Sequence, residues 1–273
     1  MPGATSFAPR PESTMLSSYI QARRESKDIL IMAHIVVGYP TAPDSERIVD
    51  ELVAAGVDLV ELQLPFSEPI ADGPVILAAN QAALASGIRI DECLEIAGKI
   101  TSRHPSCAFL AMTYYNILLA RGVARTCADM RAAGLRGAIV PDLPPEEAGE
   151  YLAAMAEQSI DPVFIFSPNT SSERMRMIAS HGRGFVYCVA RKGVTGAKTS
   201  FSESLDAYLA RCRAATSLPI ALGFGVESRE DVSFLRGKAD IAVVGSQTLR
   251  VVRDQGVAAA GPFMRGLVAG AAS

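Results

Sequence analysis

Residues 57–64 read VDLVELQL, an apolar run with Asp58 near its start and a second carboxylate, Glu61, in its interior. Short, continuous apolar runs of this kind are typical of parallel strands that helices cover on both sides. Segments with helical periodicity, such as 45–56 and 145–158, lie between the runs. Seven further runs follow the same pattern, at residues 29–37, 107–115, 136–143, 161–167, 184–190, 218–224 and 239–245.

Eight strand-like runs that alternate with helices in a chain of 273 residues predict a (β/α)8 barrel, the TIM-barrel fold of the α/β class. The alternative is an open doubly wound sheet, but HIVVGYPTAP (34–43) lacks the GxGxxG expected after its first strand. Residues 12–27 predict an extra N-terminal helix that plugs the bottom of the barrel, and residues 91–104 an extra helix before the third strand. We expect residues 1–12 to be a disordered leader and residues 13–273 to form a single domain.

The composition argues against several classes of protein. The formal charge is −3 and no Lys/Arg cluster suggests nucleic-acid binding. No apolar run approaches the ~20 residues that span a bilayer, and the N-terminus does not resemble a signal peptide. Three scattered histidines give no metal-ligand spacing. An odd number of well-separated cysteines predicts a reduced, cytoplasmic chain; they are Cys93, Cys107, Cys127, Cys188 and Cys212.

In a barrel, strand ends and the loops after them build the active site at one face. Glu61 would lie near the end of the second strand, and Asp72 in the Pro- and Gly-rich loop that follows it. Two carboxylates in one cavity can hold different protonation states and perform acid–base chemistry. The alternative role for Glu61 is a salt bridge to an inward Arg or Lys on another strand.

Glycines follow three successive strands near the end of the chain. They lie in RKGVTGAKT (191–199), LGFGVES (222–228) and VVGSQT (243–248). Barrels often bind phosphate between the last loops and a helix N-terminus, so these loops predict a phosphate site. Tyr114, Tyr115 and Tyr187 could reach this face, although ordinary core packing explains each of them. No lysine falls within a strand run, which argues against a Schiff-base aldolase.

Several of these segments resemble the tryptophan synthase alpha subunit family. ELQLPFSEPIADGPVI (61–76) is similar to the family signature ELG-x-PFSDP-x-ADGP. MTYYN (112–116), PDLPPEE (141–147), FIFSPNT (164–170), GRGFVYCVARKGVTG (182–196), GFGV (223–226) and VVGS (243–246) also match, in order, between about residues 13 and 255. The resemblance implies cofactor-free retro-aldol cleavage of indole-3-glycerol phosphate to indole and glyceraldehyde 3-phosphate.

The resemblance also implies residue roles. Glu61 would shuttle protons, Asp72 would accept the indole N–H, and Tyr187 would stand beside the glutamate. The other implied substrate contacts are His34, Gln63, Ile76, Met112, Tyr114, Ile165, Arg191, Thr195 and Phe224. The implied phosphate contacts are Gly196, Gly225, Gly245 and Ser246. An interface with a tryptophan synthase beta subunit would include Glu68, Asn116, Asp142 and Pro144. No metal site is implied.

Three residues depart from the family pattern. Gln63 replaces a glycine, His34 replaces an apolar residue of the indole pocket, and Glu68 replaces an aspartate that pairs with a beta-subunit lysine. His34 and Gln63 would lack partners in an apolar indole pocket, at roughly 1–3 kcal/mol each. Two alternatives therefore stay open: a stand-alone lyase or aldolase for a more polar ring on a glycerol phosphate, and a non-catalytic subunit that regulates a partner.

Overall fold

The computed structural model describes residues 15–190, 198–223 and 225–271 of the chain. Eight parallel strands pair in sequence order, and the eighth pairs with the first, so the sheet is closed. The predicted (β/α)8 barrel is therefore confirmed. The strands are β1 Leu30–Val36, β2 Leu59–Gln63, β3 Ala108–Met112, β4 Gly137–Ile139, β5 Asp161–Phe166, β6 Val186–Val189, β7 Ile220–Gly223 and β8 Ile241–Val244.

Helices surround the barrel, and both extra helices that the sequence predicts are present. No helix in the described part of the chain is long and apolar enough to cross a membrane. The helices are α1 Met15–Arg24, α2 Ala42–Ala54, α3 Pro74–Ala85, α4 Ile90–Arg103, α5 Tyr115–Arg121, α6 Val123–Ala132, α7 Gly149–Glu157, α8 Ser172–His181, α9 Lys198–Ala215, α10 Arg229–Leu235, α11 Ser246–Gln255 and α12 Ala260–Val268, with short 3-10 turns at Pro145–Glu147 and Val257–Ala259.

The segment predicted as one helix over 145–158 is divided. A 3-10 turn covers Pro145–Glu147, and α7 begins only at Gly149. Ala148 separates them because its φ of −87° and ψ of 10° leave the helical range. The leader that the sequence predicts over residues 1–12 lies outside the described residues.

The hydrophobic core has two layers. The larger one lies between the strands and the helices, and the smaller one fills the barrel interior. Because side chains alternate along a strand, every second residue of β2 points inward, beginning with Leu59 in the inner layer. Glu61 and Gln63 lie two and four residues after Leu59, so their side chains also face the interior.

Helix α1 closes the N-terminal end of the barrel. Leu16 and Ile20 are fully buried within the inner layer. The carboxylate of Asp58, just before β2, lies 2.7 Å from both Arg23 and Lys27 and accepts a hydrogen bond from the Ile31 N–H. These ion pairs fix α1 at the lower end, so the opposite, C-terminal end is the one where a ligand can enter.

Candidate active site

Glu61 reaches the cavity because β2 carries it inward, one layer above Leu59. It is directly opposite His34 of β1 in the strand register. The His34 Nδ1 atom lies 3.1 Å from Glu61 Oε1, and the two residues are only 3% and 4% exposed. A carboxyl oxygen that bears no proton can only accept a hydrogen bond, so Nδ1 carries the proton of its contact with Oε1. Sequence reasoning considered an Arg or Lys partner for Glu61; the partner is a histidine.

Three buried polar atoms in this cluster have no hydrogen-bond partner. They are His34 Nε2, Glu61 Oε2 and Gln63 Oε1. Buried polar groups are normally satisfied, and unpartnered ones are found where a ligand binds. The Glu61 carboxylate is thus held by one oxygen and free at the other.

The environment of His34 favours its charged form. Burial lowers the pKa of His34, but the adjacent Glu61, together with smaller contributions from Asp72 and Gln63, outweighs burial. The pKa of His34 is therefore raised above its ordinary value.

Gln63 connects β2 to the second carboxylate. Its Nε2 donates a hydrogen bond of 2.6 Å to Asp72 Oδ2. Burial raises the pKa of Asp72, and the hydrogen bond from Gln63 and the charge of His34 offset part of that increase. The two acidic residues that the sequence singled out therefore lie in one continuous polar cluster, each held by a neighbouring side chain.

The expectation that His34 and Gln63 lack partners holds for only one atom of each, His34 Nε2 and Gln63 Oε1. Each has one polar group satisfied inside the protein, His34 by Glu61 and Gln63 by Asp72. The partners were not foreseeable, because the first pair depends on the β1–β2 register and the second on the path of the loop after β2.

The loop over 64–73, between β2 and α3, is fixed by two residues. The buried Asn80 of α3 accepts a hydrogen bond from the Phe66 N–H and donates one to the Ile76 carbonyl. The Tyr114 hydroxyl accepts a hydrogen bond from the Ala71 N–H, next to Asp72. Its ring stacks on Phe66 with centroids 5.0 Å apart. Sequence reasoning missed Asn80, whose only signal is an amide among the alanines of α3.

Tyr187 of β6 packs against the inner layer beside Ile165 of β5. Burial raises its pKa well above the usual range, and the charges of Glu61 and Asp72 raise it further. The residue therefore stays a neutral phenol near both carboxylates. An added Cβ at Gly223 would lie 3.0 Å from its hydroxyl oxygen, so the glycine leaves room for this ring.

The other substrate residues that the resemblance implies do not all lie in the barrel interior. Met112 and Ile165 belong to the inner layer. Ile76, in the first turn of α3, packs instead against the outer layer. Arg191, Thr195 and Phe224, together with the phosphate residue Gly196, lie outside the described residues.

The remaining phosphate residues follow two adjacent strands. Gly225 lies two residues after β7 and has a φ of +86°, which favours glycine. Gly245 directly follows β8 and precedes α11, whose first residue is Ser246. A Cβ built on either glycine meets no atom within 4 Å among the described residues, so those residues leave the space above the two glycines open.

The predicted interface residues lie at the rim of the same face. Glu68, Asn116 and Pro144 are exposed. Asp142 also caps α5, because its carboxylate accepts the Tyr115 N–H at 2.9 Å. Ile70, in the loop of Glu68, is 81% exposed, which is unusual for a large apolar side chain.

A closed barrel with two inward-facing carboxylates and open glycine loops on one face defines an enzyme of the (β/α)8 class that performs acid–base chemistry. The family model for the tryptophan synthase alpha chain matches residues 20–262. The chain belongs to the tryptophan synthase alpha chain family, and it is a carbon–carbon lyase.

Individual relatives agree with this assignment. The tryptophan synthase alpha chains of Desulforapulum autotrophicum and Syntrophotalea carbinolica are each 57% identical over 253 residues, which is 93% of this chain and 100% of theirs. A solved tryptophan synthase structure from Mycobacterium tuberculosis superimposes with a TM-score of 0.88 at 32% identity, over 96% of this chain and 100% of that one.

Proposed function

We propose that this enzyme cleaves indole-3-glycerol phosphate to indole and glyceraldehyde 3-phosphate, with Glu61 and Asp72 as its catalytic carboxylates. The observation that carries the assignment of Glu61 is its free oxygen. Oε1 is held by His34, while Oε2 is buried, unpartnered and inside the barrel. A general acid or base needs such an oxygen within reach of the reacting atoms.

The proton balance of the reaction is simple. Glu61 gives a proton to the ring carbon that bears the side chain, and the ring becomes an iminium-like cation. Glu61, now ionised, takes the proton of the side-chain hydroxyl, and the bond between the ring and the side chain breaks. The electron pair of that bond returns to the ring, so indole and an aldehyde form and Glu61 regains its starting proton.

Asp72 acts at the other end of the ring. Its carboxylate accepts the indole N–H and stabilises the positive charge that develops there. The phenol of Tyr187, which stays neutral, packs beside the reacting centre. The phosphate of the substrate binds above Gly225, Gly245 and Ser246, where backbone N–H groups at the start of α11 favour an anion.

The direct test is a Glu61→Gln variant assayed for indole release from indole-3-glycerol phosphate. Loss of general acid–base catalysis costs about 10²–10⁴ in rate, and we expect kcat to fall by that amount while the thermal midpoint stays close to that of the parent. A Glu61→Gln enzyme with full activity would refute the assignment and favour a non-catalytic, partner-regulating subunit.

We further propose that a tryptophan synthase beta subunit docks on the rim that carries Glu68. Its exposed carboxylate and the neighbouring exposed Ile70 support this site. Glu68→Lys should weaken binding of the cognate beta subunit in titration calorimetry, whereas Glu157→Lys, at the C-terminal end of α7, should not.

The free, buried cysteines fit a reducing, cytoplasmic location.

The lyase for a more polar ring remains a second candidate. The unpartnered Nε2 of His34 and Oε1 of Gln63 favour it, whereas the internal partners of both side chains weaken it. Competition between indole-3-glycerol phosphate and a hydroxylated or aza-ring analogue decides between the two. A kcat/KM that is higher for the analogue would support the second candidate.

A further inference from the structure

In the described part of the chain, the side chain of His34 makes a polar contact with Glu61, at 3.1 Å between Nδ1 and Oε1. The contact leaves Glu61 Oε2 free. We propose that His34 is a positioning residue for the lyase reaction: its Nδ1–H fixes the Glu61 carboxylate and stabilises the anion that exists between the two proton transfers. This inference rests on the proposed catalytic role of Glu61.

The orientation of the carboxylate follows from the contact. A glutamate side chain has rotatable bonds that a cavity alone does not fix. The Nδ1–H bond binds one oxygen, and the strand register places the two residues opposite each other on β1 and β2. The second oxygen is therefore the one that can reach the substrate. A charge-assisted hydrogen bond of this type is about twice as strong as a neutral one.

The proton balance explains why an additional donor is useful. After Glu61 has protonated the ring, it is an ionised carboxylate in a site that is nearly closed to water. An unpaired buried charge is costly. His34 offsets that cost without giving up its own proton, because Nδ1 keeps its hydrogen throughout and only Oε2 exchanges one.

Two acidic residues act on His34 in the part of the chain that the structure describes. Glu61 of β2 and Asp72 of the following loop both raise the pKa of His34. Tyr187 of β6 senses the same two carboxylates and stays neutral. Among the described residues, the imidazole of His34 is therefore the basic group that faces these two acidic side chains.

Three substitutions at residue 34 separate the effects. The amide nitrogen of asparagine overlays Nδ1 of histidine, that of glutamine overlays Nε2, and phenylalanine offers no donor. We expect His34→Asn to keep kcat within about 5-fold of the parent, and His34→Gln and His34→Phe to lose about 10- to 100-fold. KM should change little in all three, because the affected contact strengthens in the reaction rather than on binding.

A spectroscopic readout tests the contact independently of turnover. In the parent enzyme, the NMR titration of His34 should show a pKa raised above the ordinary value, and in Glu61→Gln a lower pKa than in the parent, because the main contribution that opposes burial is then removed. His104→Phe is the matched control, since His104 forms a similar pair with Asp50, at 2.6 Å, on the outside of the barrel. It should leave kcat unchanged.

The inference is overturned if His34→Phe keeps kcat within twofold of the parent, if His34→Asn is no better than His34→Phe, or if the His34 titration is the same in the parent and in Glu61→Gln. Failure of the proposed function has a different signature. In that case Glu61→Gln itself stays active. If a residue-34 variant does not fold, the titration of the parent and of Glu61→Gln still decides.

Discussion

Gln63 Nε2 and Asp72 Oδ2 are joined by a hydrogen bond of 2.6 Å that links the end of β2 to the loop after it. The amide holds the carboxylate in place and also opposes the rise in the pKa of Asp72 that burial causes. Gln63, which differs from the family pattern, therefore supports Asp72, which matches that pattern.

Replacing this amide should impair the enzyme. In Gln63→Met the length of the side chain is kept and the donor is lost. We expect kcat/KM to fall about 10- to 100-fold, the effect of removing a hydrogen bond to a charged group. Because the pKa of Asp72 rises further, the acidic limb of the pH profile should move to higher pH. Gln81→Met, on the exposed face of α3, is the control; an unchanged profile in Gln63→Met would refute the role of this bond.

The stability of the protein should depend on pH through His34. The folded-state pKa of His34 is raised, so its stabilising contribution is fully present below the unfolded value of about 6.5. It is lost as the pH rises through the folded-state pKa. In urea unfolding, the difference in free energy between the parent and His34→Asn should therefore shrink from pH 6 towards pH 9. Parallel curves for the two proteins would contradict the prediction.

Gly223 should be sensitive to a single methyl group. A Cβ at this position would lie 3.0 Å from the hydroxyl oxygen of Tyr187 and 3.1 Å from Cε1. We expect Gly223→Ala to destabilise the protein by about 1–3 kcal/mol through overpacking.

The clash can be assigned by a double-mutant cycle. In a Tyr187→Phe background the cost of Gly223→Ala should be smaller, because the nearest atom is gone. Gly149→Ala, in the first turn of α7 where a Cβ meets nothing within 4 Å, provides a control without a clash. Equal costs in both backgrounds would mean that Tyr187 is not the residue displaced.

The lower end of the barrel should contribute to stability and not to catalysis. Asp58 is completely buried, whereas the side chains of its partners Arg23 and Lys27 are 38% and 21% exposed. Asp58→Asn removes both ion pairs. We expect a loss of about 2–3 kcal/mol, below the 3–5 typical of a fully buried pair because water can reach the freed cations.

The activity of folded Asp58→Asn should match that of the parent, since the carboxylates of the site lie at the other end. Asp254→Asn breaks a surface pair with Arg253 and should leave the urea midpoint unchanged. A fall in kcat of Asp58→Asn would show that the two ends of the barrel are coupled.

The strands were predictable because each is a short apolar run between helical segments, and burial on both sides leaves that pattern in the sequence. The two carboxylates were also recognisable, since an acidic residue inside an apolar run requires a reason. The side chains that contact these two carboxylates were not predictable. The contact between His34 and Glu61 joins residues 27 positions apart through strand register, and nothing local to either residue encodes it.

Other features were hidden for similar reasons. Asn80 looks like one polar residue in an alanine-rich helix, yet it holds the loop over 64–73. Ala148 divides a segment whose periodicity alone reads as one helix. The first effect depends on the path of a loop and the second on the backbone angles of one residue, and periodicity describes neither.

Leu16 and Ile20 of α1 fill the lower end of the barrel interior. A molecule that reaches Glu61 therefore comes from the side of the loops that follow the strands. Changes in those loops can alter which molecules are admitted without disturbing the packed strands below them.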